Sequence, residues 1–163
     1  MQTRRFFALI AGTTMLLPLS GAIASVAPAE AAKPDPVLVQ AVAGDWRSPE
    51  AKARDASRHP VETLTFWGLK PGMTILEVQP GGQSWWTEIL APYAKRTGGK
   101  FYVTGPDLSN PDLPEAARKS RAAFEARYGA NPDLYGKIEV VNWGVKSAPL
   151  PKDTFDFILT ARS

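Results

Sequence analysis

Thr74-Ile75-Leu76-Glu77-Val78-Gln79-Pro80-Gly81-Gly82-Gln83-Ser84 passes from apolar to glycine-rich within a few positions. A β-favouring run closed by Pro-Gly-Gly and followed by an amphipathic segment reads as a buried strand that ends in the ligand crevice of an α/β sheet. Gly81 and Gly82 carry no side chain, so backbone N–H groups can approach an anionic or nucleotide-like ligand there. A helix starting near Ser84 would aim its positive dipole end at the same point. Glu77 is the odd member, because a carboxylate among apolar neighbours is costly without a donor, and it is expected to look into the crevice. A salt bridge from Glu77 to a helix lysine or arginine is the other reading, and a plain turn is the other reading of the two glycines.

Working outward, Lys70-Pro71-Gly72-Met73 turns the chain into this first strand. Ahead of it, helical patterns cover 37–43, 48–58 and 60–67; Ser48-Pro49 and Pro60 are helix starts, and His59 stands before a proline that pushes it out of the α region. His59 titrates near neutrality, which suits a general base, but its junction position suits a cap. Behind the first strand, 84–96 is a helix with Trp85, Ile89, Leu90 and Tyr93 on one side and Pro92 as an expected kink. A second strand at 100–104 delivers Asp107 just past its end, where Asp-Leu-Ser-Asn-Pro is also turn chemistry and a plain turn residue is the other reading. A helix follows from Asp112, with Glu115 at capping-box spacing and Leu113, Ala116, Ala117, Ser120, Phe124 and Tyr128 as its apolar face. Strands at 138–142 and 155–160 complete an alternation that predicts parallel, right-handed crossovers.

The chain of 163 residues, 44% hydrophobic and 21% charged, suffices for one domain with its own core. Its net charge of +3 is spread along the sequence, without the Lys/Arg block of a nucleic-acid or polybasic membrane contact. No nucleic-acid partner is expected. The absence of cysteine excludes disulfides, thiolate metal sites and a Cys nucleophile, and a single histidine excludes a His-rich metal site. Residues 1–31 read as an export signal, with Arg4 and Arg5, an apolar stretch at 6–19 and a small-residue cleavage site at Ala29-Glu30-Ala31. That stretch is too short, and too interrupted by Thr13, Thr14 and Pro18, for a stable membrane span. Thr3-Arg4-Arg5-Phe6-Phe7 resembles the twin-arginine signal, with an ordinary secretory signal as the alternative. The expected location is periplasmic or secreted. Residues 32–44 are then a linker and short helix, and 45–163 an α/β domain.

An acidic residue on the first strand ahead of Pro-Gly-Gly, an acid just after the second, and a fourth strand beginning Phe155-Asp156-Phe157-Ile158-Leu159 together resemble a class I S-adenosylmethionine-dependent methyltransferase. The match is closer to exported, predicted methyltransferase-like proteins. It runs through Trp46-Arg47-Ser48-Pro49-Glu50, Arg58-His59-Pro60-Val61-Glu62-Thr63-Leu64, Gly68-Leu69-Lys70-Pro71-Gly72-Met73 and Thr87-Glu88-Ile89-Leu90-Ala91-Pro92-Tyr93. The resemblance implies a Rossmann-like sheet and S-adenosylmethionine as cofactor. It implies Glu77 near the methionine amino end, Gly81 and Gly82 against the cofactor backbone, Asp107 on the ribose, and Asn142 at the adenine with Trp143 stacked on the ring, whereas the residue types of Asn142 and Trp143 by themselves favour a strand end and the core.

Two departures from the family stand out. Gln79 and Gln83 replace expected glycines, and Gln83 adds a side chain where the cofactor normally lies on bare backbone. The family's sheet has seven strands and this sequence supplies about four. The fourth strand becomes an apolar edge, which implies either a covering partner, such as a second copy, or a truncated gene product. The expected function is methyl transfer to an acceptor that the sequence does not name, weak or absent in this form. The alternative is a non-catalytic, exported nucleoside-binding or assembly module. A dinucleotide dehydrogenase would need glycines at Gln83 and Trp86, and a P-loop hydrolase a Gly-Lys-Ser/Thr. Arg47, Arg54 and Arg58 read as a solvated face, and Trp85 and Trp86 as one core and one partly exposed aromatic.

Overall fold

The computed structural model describes residues 33–161, so the export signal read at 1–31 lies outside the described residues. Four strands, β1 (Thr74–Val78), β2 (Lys100–Pro106), β3 (Ile138–Trp143) and β4 (Phe157–Thr160), form one all-parallel sheet in the order β3-β2-β1-β4. The chain steps from β1 outward through β2 to β3, then returns to the opposite side of β1. That reversal makes a topological switch point between β1 and β4, where α/β sheets open a crevice beyond the strand ends. The α/β class agrees with the sequence, and the sheet is compatible with a Rossmann-like fold.

Seven helices accompany the sheet among the described residues: α1 (Pro36–Ala43), α2 (Pro49–Ala53), α3 (Asp55–Arg58), α4 (Pro60–Phe66), α5 (Thr87–Thr97), α6 (Glu115–Gly129) and α7 (Pro132–Tyr135). One sheet face is the core. In register, Ile75 pairs with Phe101 and Phe157, and Glu77 with Val103 and Leu159, so these residues point the same way. All the apolar members of that set are buried in one cluster with Trp85, Ile89, Leu90 and Tyr93 from α5 and its approach. Burying side chains of this size contributes about 2 kcal/mol each. On the opposite face Ile158 is 57% exposed, and β4 is the sheet edge beside β1, as expected. Asp156 fixes that edge: its carboxylate accepts from Thr74 N–H at 2.8 Å and its own N–H donates to the Thr74 carbonyl at 2.9 Å.

Pro92 does not end α5, which runs through it to Thr97. Proline removes the N–H that would have bonded the Glu88 carbonyl four residues earlier. The Trp46 indole N–H donates to that carbonyl at 2.8 Å, so the orphan is satisfied from the amino-terminal helices. Those helices are further tied to α5 by the Tyr93 hydroxyl, which donates to Asp35 at 3.0 Å. Asp35 caps α1, accepting from Val37 N–H at 2.7 Å, with Pro36 in the first turn.

Three expected boundaries shift. The helix expected over 48–58 is two, α2 and α3, because the Ala51 carbonyl accepts from the Trp85 indole at 2.8 Å and the Arg54 N–H closes a three-residue turn onto it. The helix expected from Asp112 starts at Glu115 behind Pro114 and without a side-chain cap, since Asp112 faces Lys146 at 3.4 Å and its N–H is held by Asn110. Its expected apolar face is largely unburied, with only Tyr128 fully covered and Ala116 and Ser120 exposed. The short α7 was not expected, although Asn131, which accepts from Leu134 N–H at 3.2 Å, and Pro132 form a legible start. Arg47 is a correction to the solvated-face reading. Its side chain is buried, forms a two-pronged ion pair with Asp55 at 2.7 Å and donates to the Val42 carbonyl.

Candidate functional site

β1 ends in a turn built from unusual backbone angles: Gln79 at φ 52°, Gly81 at φ 72° and Ser84 at φ 48°. Only glycine adopts the left-handed region without strain, which accounts for Gly81. Gly82 is different, because a Cβ there would meet no atom within 4 Å. Its missing side chain leaves room instead of relieving a clash. The turn is tied to the next strand by Gln79 N–H, which donates to Thr104 Oγ1 at 2.8 Å.

Beyond the strand ends lies a crevice of about 920 Å³, within the range of sites that take a nucleoside-sized ligand. Gly81 and Gly82 line one side, Arg121, Phe124 and Tyr128 of α6 the other, and Trp143 and Thr160 its margins. The α6 wall hangs from guanidinium groups. Arg118 donates to the carbonyls of Leu108 and Asn110 at 3.2 and 2.7 Å, and Arg121 to the Pro106 carbonyl at 2.9 Å and to Asn142. Tyr128 is buried against the crevice, and its hydroxyl has no partner among the described residues; burial raises its pKa.

Of the five residues singled out in the sequence, Gly81 and Gly82 line the crevice. Glu77 does not. Strand alternation turns it onto the core face with Ile75, under α5, where it is 2% exposed and accepts from Thr87 Oγ1 at 2.6 Å. Burial raises its pKa to about 7, against the opposing pull of the Thr87 hydroxyl. Asp107 sits just past β2, as read, but is not among the residues that line the crevice, and it makes a turn: one oxygen accepts from Ser109 N–H at 2.9 Å and Ser109 Oγ at 2.6 Å, and the other from Ser147 Oγ at 2.5 Å. Those bonds, the Ser109 ones foremost, hold its pKa below the usual carboxylate value. Asn142, next to last in β3, accepts from Arg121 and does not line the crevice, while Trp143, which ends the strand, does.

Protein-family models, curated proteins and solved structures offer no match to this chain. What the crevice can do therefore rests on its own residues. Gln83 is held out of it: its side-chain carbonyl accepts from Arg54 at 2.7 Å, and the expected intrusion on the floor does not occur. The α5 dipole is set back, since the helix starts at Thr87 and the buried turn Ser84–Trp86 intervenes. Among the described residues no cluster of three His, Asp or Glu side chains could hold a metal ion, and no helix is long and apolar enough to cross a membrane. The sequence pattern did not mark Thr104, Arg121 and Tyr128 as site residues. Tyr128 had a signal only as the last apolar position of α6.

Proposed function

We propose that the crevice binds an adenosyl ligand, S-adenosylmethionine or its demethylated product, and that the chain is a methyltransferase-like protein exported by the signal read at 1–31. The observation that carries this reading is the switch-point crevice of about 920 Å³ walled by Gly81 and Gly82. Asp107 supports it through its partners. Two hydroxyls on the two carboxylate oxygens are the arrangement that a ribose diol offers, so the sugar would replace the serines without changing the chemistry of the bonds. Trp143, at the crevice margin and 43% exposed, has ring area free for an adenine.

Methyl transfer from a sulfonium is an in-line displacement on an already activated carbon. S-adenosylmethionine would supply the activated methyl group, and this chain would contribute alignment, with Gly81 and Gly82 against the cofactor backbone, Asp107 on the ribose and Trp143 on the adenine. Calorimetric titration with S-adenosylmethionine and S-adenosylhomocysteine is expected to show one site, lost in Gly82→Leu while the melting curve is retained. Uptake unchanged by Gly82→Leu, or no uptake of either compound, overturns the reading. Binding without turnover on any acceptor corresponds to the non-catalytic module.

A further inference from the structure

Three guanidinium groups gather on one indole. The carbons of Arg58, Arg47 and Arg54 lie 4.8, 5.3 and 6.0 Å from the Trp85 ring centroid. Arg47 carries its counter-ion, Asp55. Arg54 and Arg58 have no carboxylate within 4 Å among the described residues, and both are half-buried. An indole face attracts cations, but it does not neutralise two of them side by side. The Arg58 pKa is lowered first by burial and then by the Arg54 charge. The neutral carbonyl of Gln83, on Arg54 at 2.7 Å, is the group that meets this charge from the glycine turn.

We propose that Arg54 and Arg58 form a second site, which holds an oxyanion, a phosphate or carboxylate group, on the outer side of the turn whose inner side lines the crevice. The bidentate guanidinium fork suits either group. Gln83 lies next to Gly82, so an anion held here sits one residue away from the crevice wall. That the anion belongs to the methyl acceptor rests on the adenosyl reading above; the anion site itself does not.

The test is titration of the full chain at low ionic strength with inorganic pyrophosphate and, separately, with citrate, followed by heat and by the arginine Nε–H resonances. One saturable site is expected, with the Arg58 and Arg54 resonances moving. Arg58→Gln and Arg54→Gln each weaken it by about tenfold or more, the loss of one charge-assisted hydrogen bond. Arg96→Gln, which removes a cation over a different indole, Trp46, leaves it unchanged. Arg58→Lys retains the charge without the fork and is expected to bind more weakly than the native chain but more tightly than Arg58→Gln, so a folding defect in Arg58→Gln does not decide the matter. Preference for pyrophosphate identifies a phosphate, and preference for citrate a carboxylate. Absence of saturable binding, or equal weakening by Arg96→Gln, overturns the proposal. So does competition with S-adenosylhomocysteine, because the two would then share the crevice. If no adenosyl compound binds while Arg58-dependent pyrophosphate binding persists, the crevice reading falls and the anion site stands.

Discussion

Glu77→Gln is expected to stabilise the protein at neutral and higher pH, and the size of the gain follows from where the carboxylate lies. Glu77 is 2% exposed on the core face, with Thr87 Oγ1 as its hydrogen-bond donor. Its pKa in the folded chain is about 7, against 4.5 for the ordinary side chain. Below pH 4.5 it is protonated in both folded and unfolded chains and is no burden. Between 4.5 and 7 the unfolded chain releases the proton first, so stability falls as pH rises, and above 7 the loss is complete. Each pH step of one across that window costs about 1.4 kcal/mol, and the whole window amounts to roughly 3 kcal/mol. Glutamine keeps an acceptor for Thr87 without the charge and removes this slope. Urea unfolding at about pH 5, 6, 7 and 8 measures it, with an unchanged m-value as the check that the unfolding reaction is the same. Thr87→Val removes the donor that holds the pKa down, and is expected to extend the falling window to higher pH. Equal pH slopes in the native protein and Glu77→Gln would refute the argument.

Other outcomes follow from single contacts. Asp107→Asn keeps the shape but weakens acceptance from two hydroxyls, and adenosyl affinity is expected to fall about ten- to a hundredfold by calorimetry. Trp46→Phe leaves the Glu88 carbonyl without a donor and is expected to cost about 1–3 kcal/mol in urea unfolding. Pro92→Ala returns an N–H to that carbonyl, so a double-mutant cycle between the two should show coupling; simple additivity argues against the shared carbonyl. Gly99→Ala puts a Cβ 2.3 Å from the Met73 carbonyl oxygen and is expected to cost about 2 kcal/mol or more, whereas Gly82→Ala, in open space, stays within about 0.5 kcal/mol. Thermal melts of the two variants separate these cases.

What could be read from the chain was local. The four strands and the α/β class follow from short apolar runs between turn residues, and β1 starts at Thr74 as its Pro-Gly turn requires. The reach of Glu77 could not be read, because the face it takes depends on which side of the sheet α5 covers, and a one-residue change of parity would have turned it outward. The continuity of α5 through Pro92 likewise depended on an indole 42 residues from its partner carbonyl. Arg47 looked like a surface cation until the fold brought Asp55 and Trp85 around it. Capping told more at some helices than at others. Ser48, Asp35 and Asn131 accept from the first turns, as their residue types allow, while Asp112 had the right spacing to Glu115 but was drawn into the preceding turn by Asn110.

The suspension of α6 from Arg118 and Arg121, with Tyr128 as its sole fully covered side chain, sets how the crevice would admit a guest. Water can substitute for guanidinium-to-carbonyl links at modest cost, whereas it cannot substitute for packed aliphatic carbon. Phe124 and Tyr128 add apolar contacts to these tethers, and an outward tilt of the helix would leave the layer between α5 and the sheet sealed. Admission of a guest would then draw on the contacts of α6, and endurance of the fold on the packing between α5 and the sheet.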